Sequence, residues 1–300
     1  MRRKGAVDAA EWSTPMTYRT IHTTTYRYEQ PVSQSLSEAR LTPRSFGRQH
    51  AIESGIVVQP DFATLSTRRD YFGNDVSTIA VFGTHDRFVV TATSLVETGA
   101  PPSGEFPTVP WEAARDLMAV PTDPESIAAS EFIFESPYVP WVKAVADYAR
   151  PTFQPGRPLV ESLRELKHRV HDEFVYKPES TSIEIPLQEV MDKRHGVCQD
   201  FAHVMIGAIR SMGLAARYVS GYLRSGADVQ GAEASHAWVS AYVPGAGWLD
   251  FDPTNDVMPS DGHVTVGWGR DYGDVTPVKG VALGGGGQTV AVEVRVTPVA

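Results

Sequence analysis

An α+β domain preceded by an all-β, sandwich-like domain is the architecture this sequence predicts, on three observations. Residues 17–96 have the texture of strands, rich in Thr and Tyr near their start, with no sustained helical period. Leu159–Val175 and the run that begins at Cys198 carry helical periodicity. Three strand-like runs, Ala216–Leu223, Ala234–Val243 and Gly247–Phe251, follow that second helix. A chain of 300 residues suits one large domain or two. With 42% hydrophobic and 21% charged residues it can bury a real core and is not disordered throughout. Its formal net charge of −9 disfavours a general nucleic-acid or anionic-membrane binder.

The elements follow in order. Residues 1–16 read as a loosely held tail. Its basic cluster, Arg2-Arg3-Lys4, has no apolar run behind it, and Asp8 and Glu11 interrupt the place of a secretory leader. Residues 17–110 form the N-terminal domain with its linker. Tyr18–Tyr28 is a strand, and Tyr71-Phe72-Gly73-Asn74-Asp75 is a turn into Val76–Phe82. Thr84-His85-Asp86 reads as another turn, leading to Arg87–Val96. Prolines and glycines between residues 97 and 110 mark the linker.

Residues 111–262 form the second domain. Helical patches lie at Glu112–Met118 and Val139–Ala149. Leu159, Leu163, Leu166, Val170 and Phe174 recur at spacings of 4, 3, 4 and 4, the stripe of an amphipathic helix. Cys198, Ala202, Met205, Ile209 and Met212 make a second stripe. Phe201, Val204 and Ala208 widen it, so that helix is buried nearly all round and ends at Gly213. Residues 263–300 are a C-terminal β extension. The four glycines within Leu283–Gln288 lack the strand–helix context of a phosphate loop and read as a flexible hairpin or loop. Valines 290, 292, 294 and 296 alternate along a last long strand. No stretch approaches the ~18 uncharged apolar residues of a membrane helix, and a cytoplasmic protein is expected.

The single cysteine, Cys198, excludes an intramolecular disulfide framework and zinc sites with two or more thiolates. It opens the buried helix in His195-Gly196-Val197-Cys198-Gln199-Asp200-Phe201. A helix N-terminus favours negative charge, and its N–H groups can receive an oxyanion. A thiolate nucleophile wants a histidine base and an acceptor that orients it. His203 stands about 140° around the helix from Cys198. His168 and His171, beside Arg169 and Asp172, read as a solvated face rather than a metal pair, because no third ligand is evident. His195 lies in a loop. His236 is the best placed, near the start of a strand that puts His236, Trp238, Ser240 and Tyr242 on one face. A glycine-bearing turn leads to a strand on which Asp250 and Asp252 share a face, and periodicity does not choose between them.

Cys198 with its flanks, Gly213–Tyr222, Ser235-His236-Ala237-Trp238 and Trp248-Leu249-Asp250-Phe251-Asp252-Pro253-Thr254-Asn255 together resemble the transglutaminase-like superfamily. The nearer likeness is to its bacterial branch with an all-β N-terminal domain. Pro31-Val32, Leu41-Thr42-Pro43-Arg44, Asp70–Asn74 and Gly269–Val275 are similar to other parts of that branch. The resemblance implies a papain-like/transglutaminase-like core, a Cys-bearing helix packed on an antiparallel sheet. It also implies a nucleophile at Cys198, a base at His236 and an acid at Asp252, which precedes Pro253-Thr254. Animal members use an upstream tryptophan as second oxyanion donor. None stands between Val142 and Cys198, leaving Tyr176 or Gln199 as candidates. No Asp-rich calcium loop is evident, and neither a metal nor a cofactor is expected.

The activity implied is that of an acyltransferase or amidohydrolase. It would attack a glutamine or peptide carboxamide through a thioester and pass the acyl group to an amine or to water. A cysteine protease or peptide amidase of the same fold is the alternative. A protein-binding module with a vestigial triad is another. An arylamine acyltransferase would need a nucleotide site for which no phosphate loop is seen. Expected partners are a protein or peptide substrate and an amine acceptor, with no nucleic acid and no membrane. The N-terminal domain is expected to shape substrate access or assembly into a homo-oligomer.

Overall fold

A computed structural model of the chain describes residues 15–99, 105–178, 185–224, 230–231 and 234–299. Most of the tail and residues 100–104 of the linker lie outside the described residues. Two long strands, β1 (Met16–Ala39) and β4 (Asp75–Thr98), pair antiparallel from end to end. Between them in sequence, β2 (Gln49–Gln59) covers one end of β4 and β3 (Thr64–Arg69) the other. The turn expected at residues 71–75 forms, with Gly73 at φ +76 and its N–H donating to Asp70 O at 3.0 Å. The turn expected at Thr84-His85-Asp86 does not. There β4 runs on through a bend, because β1 pairs with it on both sides, Arg27 opposite Arg87 and Gln34 opposite Phe82. Polar residues signal exposure but not whether a strand reverses or bends, and here the deciding partner is remote in sequence.

The second domain opens with α1 (Trp111–Ala119), α2 (Pro124–Ser130), α3 (Lys143–Ala149) and α4 (Leu159–Glu173). Then come β5 (Val175–Tyr176), α5 (Leu187–Lys193), β6 (His195–Gly196) and α6 (Cys198–Ser211). The antiparallel sheet that follows has the order β10-β7-β8-β9, built from β7 (Ala216–Leu223), β8 (His236–Val243), β9 (Gly247–Phe251) and β10 (His263–Gly269). This sheet takes in β10, so the core domain runs past the boundary expected at residue 262. Alternation marks a strand without saying which sheet it joins. Every residue of α6 from Asp200 to Arg210 is buried. Its apolar side chains share one core with Leu163, Leu166 and Val170 of α4 and with Ala237, Val239, Ala241 and Val243 of β8. Gly213, at φ +73, ends the helix: its N–H donates to Arg210 O and the next N–H, of Leu214, to Ile209 O.

The chain then returns to the first sheet. β11 (Val278–Gly284) pairs with the distal half of β1 and β12 (Gln288–Val299) with its proximal half. The glycine run is therefore not a hairpin but the bend of a third long strand. Gly284, Gly285 and Gly286 have φ of +98, +90 and +62, and the Glu29 and Gln30 N–H groups donate to Gly287 O and Gly285 O at 2.9 and 3.0 Å. A Cβ on Gly285 would stand 2.9 Å from Val32 Cγ2. The bend lets Ala39, Ile79 and Val81 of one half meet Phe88, Val90 and Ala92 of the other. The sandwich-like domain is thus one six-stranded sheet folded on itself. Tyr18, Val96, Val294 and Val296 of this sheet pack against Tyr222, Val264 and Val266 of the core sheet. Among the described residues no helix is long and apolar enough to cross a membrane.

Candidate active site

Local pairing brings the parts of the site together. β5 lies parallel to β6, Tyr176 opposite Gly196, and the Lys177 N–H donates to Gly196 O at 2.9 Å. Tyr176 is thereby carried to the start of α6, where Cys198 is half-buried. Asp200, two residues on, folds back to accept the Val197 N–H at 2.8 Å. Position 196 must be glycine for this, since a Cβ would stand 2.5 Å from Asp200 Oδ2. Burial pushes the Asp200 carboxyl up to about 6, against the pull of the Val197 hydrogen bond.

His236 is the first residue of β8 and emerges beside the N-terminus of α6. Its Nε2 lies 2.9 Å from Asp252 Oδ2. Asp252, with no exposed surface, sits just beyond β9. Its Oδ1 accepts the N–H groups of Thr254 and Asn255 at 2.9 and 3.2 Å. Its Oδ2 also accepts the Asn255 side-chain amide at 2.9 Å and His263 Nε2 at 3.3 Å. The Ser260 N–H donates to His263 Nδ1, which places the His263 proton on Nε2, facing the carboxylate. Burial holds His263 below its ordinary value, so it serves Asp252 as a neutral donor.

With Nε2–H of His236 directed at Asp252, Nδ1 is left buried and without a hydrogen-bond partner among the described residues. That nitrogen is the one available to the thiol. Burial disfavours charging the His236 ring. The Asp252 carboxylate and its hydrogen bond, with the Cys198 side chain as a lesser influence, outweigh burial and raise its pKa. Burial likewise opposes charge on Asp252, but His236 and His263 hold the carboxyl well below the usual range.

A cleft of about 320 Å³ opens on these residues. From the core it is lined by Tyr176, Gln199, Tyr218 and Tyr272 as well as Cys198 and His236. Burial above all, followed by Cys198 at Tyr176 and by Tyr138 at Tyr272, raises these two hydroxyls to about 12 each, so both remain O–H donors. His22, Thr24 and Tyr26 of β1 close the cleft from the other side.

Cys198, His236 and Asp252 are therefore brought together, and both oxyanion candidates, Tyr176 and Gln199, line the same cleft. Asp250 is not part of the group. It lies 3.4 Å from Arg48 of the N-terminal sheet domain, an ion pair across the domain boundary. His203 faces away, its ring stacked on Tyr138 and its Nε2 accepting the Tyr272 N–H. His195 lies on β6 with Nδ1 3.2 Å from Lys193 O. His168 and His171 are more than a solvated face. His168 bonds Asp256 at 2.9 Å, His171 donates to Thr254 O at 3.0 Å, and Lys167 donates to Asp256 O at 2.6 Å. Together they clamp the loop that follows Asp252 onto α4.

His263 and the β1 wall escaped sequence reasoning. The only sign of either was a polar residue at an inward position of an alternating strand, Thr-x-His-x-Thr in β1 and His-Val-Thr-Val in β10. Among the described residues, no group of three or more His, Cys, Asp and Glu is placed to hold a metal ion.

Residues 18–97 match the bacterial transglutaminase-like N-terminal region, and residues 146–253 match the transglutaminase-like superfamily. An uncharacterized protein of Mycobacterium tuberculosis is 40% identical over 277 residues, covering 88% of this chain and 87% of its own. A protein-glutamine gamma-glutamyltransferase of Pseudomonas aeruginosa is 33% identical over 128 residues, 40% of this chain and 19% of that protein. The crystal structure of a candidate cysteine protease from Cytophaga hutchinsonii superposes with a TM-score of 0.77 at 21% identity, covering 96% of this chain and 92% of that one. At that identity the match speaks to the fold alone.

Proposed function

The chain belongs to the transglutaminase-like superfamily, with the bacterial N-terminal region of that family, and from that premise we propose that it is a cysteine acyltransferase or amidohydrolase acting on carboxamides. The observation that carries this reading is the His236 ring. It is anchored to buried Asp252 through Nε2 at 2.9 Å, with Nδ1 unpartnered beside a cysteine at a helix N-terminus.

His236 Nδ1 takes the Cys198 proton, and the thiolate attacks the carboxamide carbon. The tetrahedral oxyanion is met by the N-terminus of α6 and by the hydroxyl of Tyr176 or the amide of Gln199. His236 returns its proton to the leaving nitrogen, ammonia departs, and a thioester remains on Cys198. Water or a primary amine then gives a proton to His236 as it attacks the thioester carbon. The acyl product leaves and the thiol is restored. Asp252 holds the ring in the required tautomer and stabilises the imidazolium. The Pseudomonas aeruginosa relative's name supports glutamine as acyl donor.

The test is to incubate the protein with carbobenzoxy-glutaminylglycine, with and without hydroxylamine, and to follow ammonia and hydroxamate. Ammonia release that Cys198→Ser abolishes and His236→Ala lowers by about 10²–10⁴-fold is the expected result. Failure of the native protein to release ammonia from this donor, and to be acylated at Cys198 by p-nitrophenyl acetate, would leave a binding module with a vestigial triad.

A further inference from the structure

β1 is a strand of the N-terminal sheet on which Thr20, His22 and Thr24, alternate residues on one face, are all buried. The His22 ring rests on Tyr222 of β7 at 5.6 Å between centroids. Its Nε2 is 2.8 Å from Thr24 Oγ1. Its Nδ1 is buried and has no hydrogen-bond partner among the described residues. Both residues line the cleft that holds Cys198 and His236. A buried polar atom left unpaired is uncommon and costs about 1–3 kcal/mol. Packing on Tyr222 alone does not account for it, because a phenyl ring would fill the same place with no polar atom to satisfy.

We propose that the N-terminal sheet supplies part of the substrate site, where His22, oriented by Thr24, hydrogen-bonds a peptide amide of a polypeptide acyl donor whose carboxamide lies at Cys198. The proposal rests on the acyl-transfer reading above. The choice of a peptide amide follows from the chemistry of the pair. Burial lowers the His22 pKa to about 4, so near neutral pH the ring is uncharged and one nitrogen carries a proton while the other carries a lone pair. The Thr24 hydroxyl can give or receive toward Nε2, which leaves Nδ1 either donor or acceptor. A peptide amide offers a carbonyl and an N–H side by side and satisfies either tautomer. A charged group would gain no counter-charge from a neutral imidazole. His22 thus acts as a specificity residue: a donor lacking that amide leaves the ring nitrogen unpaired, and the site discriminates against it.

The test compares two alkylating probes by intact mass, in the native protein and in His22→Phe, which keeps the ring on Tyr222 and removes both nitrogens. Iodoacetamide reports the reactivity of Cys198. N-Iodoacetyl-glycylglycinamide alkylates the same sulfur while placing peptide amides in the cleft. The expected result is an iodoacetamide rate within about twofold of native and a loss of about tenfold with the peptide probe, seen as weaker saturation. Thr24→Val, which removes only the orienting hydroxyl, is expected to show a smaller loss of the same kind, and it serves where His22→Phe folds poorly. Unchanged rates with the peptide probe in these variants would overturn the proposal. So would an equal slowing of both probes, which would make His22 a structural residue. Failure of the acyl-transfer reading has its own signature, a native iodoacetamide rate no faster than that of free cysteine and unmoved by His236→Ala.

Discussion

A fully buried carboxylate is tolerable at Asp252 because five donors converge on it: two backbone N–H groups, the Asn255 amide and the imidazoles of His236 and His263. Asp252→Asn preserves the volume but removes the charge that stabilises the imidazolium. It should lower ammonia release from a glutamine donor by about 10²-fold or more, with a smaller fall in melting temperature. The pair also sets a pH dependence. Asp252 has a depressed pKa, so the stability it contributes is present above its unfolded value near ~4 and is lost as pH falls through the folded value. His236 has a raised pKa, so its contribution is complete below ~6.5 and is lost as pH rises through the folded value. The difference in unfolding free energy between the native protein and Asp252→Asn should therefore be greatest from pH ~4 to ~6.5 and shrink on both sides. Denaturant titrations across that range would check it. Asp200 works in the other sense. Raised by burial to about 6, its contribution is full below ~4 and falls away as pH climbs to that value. Asp200→Asn keeps an acceptor for the Val197 N–H. It should stabilise the fold by on the order of 1 kcal/mol above pH ~6 and change little at pH ~4.

At the scale of the element, close approach decides which residue each strand and helix can carry. Gly221 of β7 lies opposite His236 of β8. A Cβ there would stand 2.3 Å from Val264 O and 2.4 Å from the Trp238 ring. Neither neighbour can yield, since one is backbone and the other is fully buried beside His236 and His263. Gly221→Ala should cost about 1–3 kcal/mol and slow alkylation of Cys198 by displacing His236. A variant with native stability and native alkylation would contradict this. The long helices α4 and α6 were legible because their patterns are local, whereas the seven-residue α2 and α5 are too short to show a period. The α4 stripe and the encircling apolar surface of α6 need only a 3.6-residue period and a core to face. The bends of β4 and of the glycine run were not legible, since what turns a strand's reversal into a bend is the strand beside it, far off in sequence.

Over the whole molecule, the two domains are interlocked. The chain leaves the N-terminal sheet, builds the core and returns to lay β11 and β12 along β1. The outer edge of β10 is closed by side-chain amides of the first domain. Gln49 pairs with the N–H and C=O of Thr265, both at 2.7 Å, and Asn74 with the N–H and C=O of Trp268 at 3.0 and 2.9 Å. Each amide thus mimics a neighbouring strand, which protects an edge that would otherwise invite pairing. A stack crosses the same boundary, with the Arg44 guanidinium 3.6 Å from the Trp268 ring and that of Arg217 between Trp268 and Trp248 at 3.9 and 4.2 Å. Chemical denaturation should show one transition rather than two. Gln49→Ala, which leaves the Thr265 N–H without a partner while its C=O keeps the Arg44 N–H, should lower the unfolding free energy by about 1–3 kcal/mol without splitting that transition.

By itself the sequence determined the class of each domain, the helix that opens on Cys198 and its burial, and His236 as the histidine near a strand start. These depend on period, on a single cysteine and on chain-local order. It left Asp250 and Asp252 equivalent, since alternation puts both on one face; only the resemblance favoured Asp252. In three dimensions the two separate, Asp250 to Arg48 across the domain boundary and Asp252 to His236 and His263. Only the tertiary structure brought His263 to the carboxylate, moved β10 into the core sheet and set His22 of the first domain opposite Cys198. Each of these is a contact between segments far apart in the chain, and no local pattern encodes which distant surface a strand's buried face will meet.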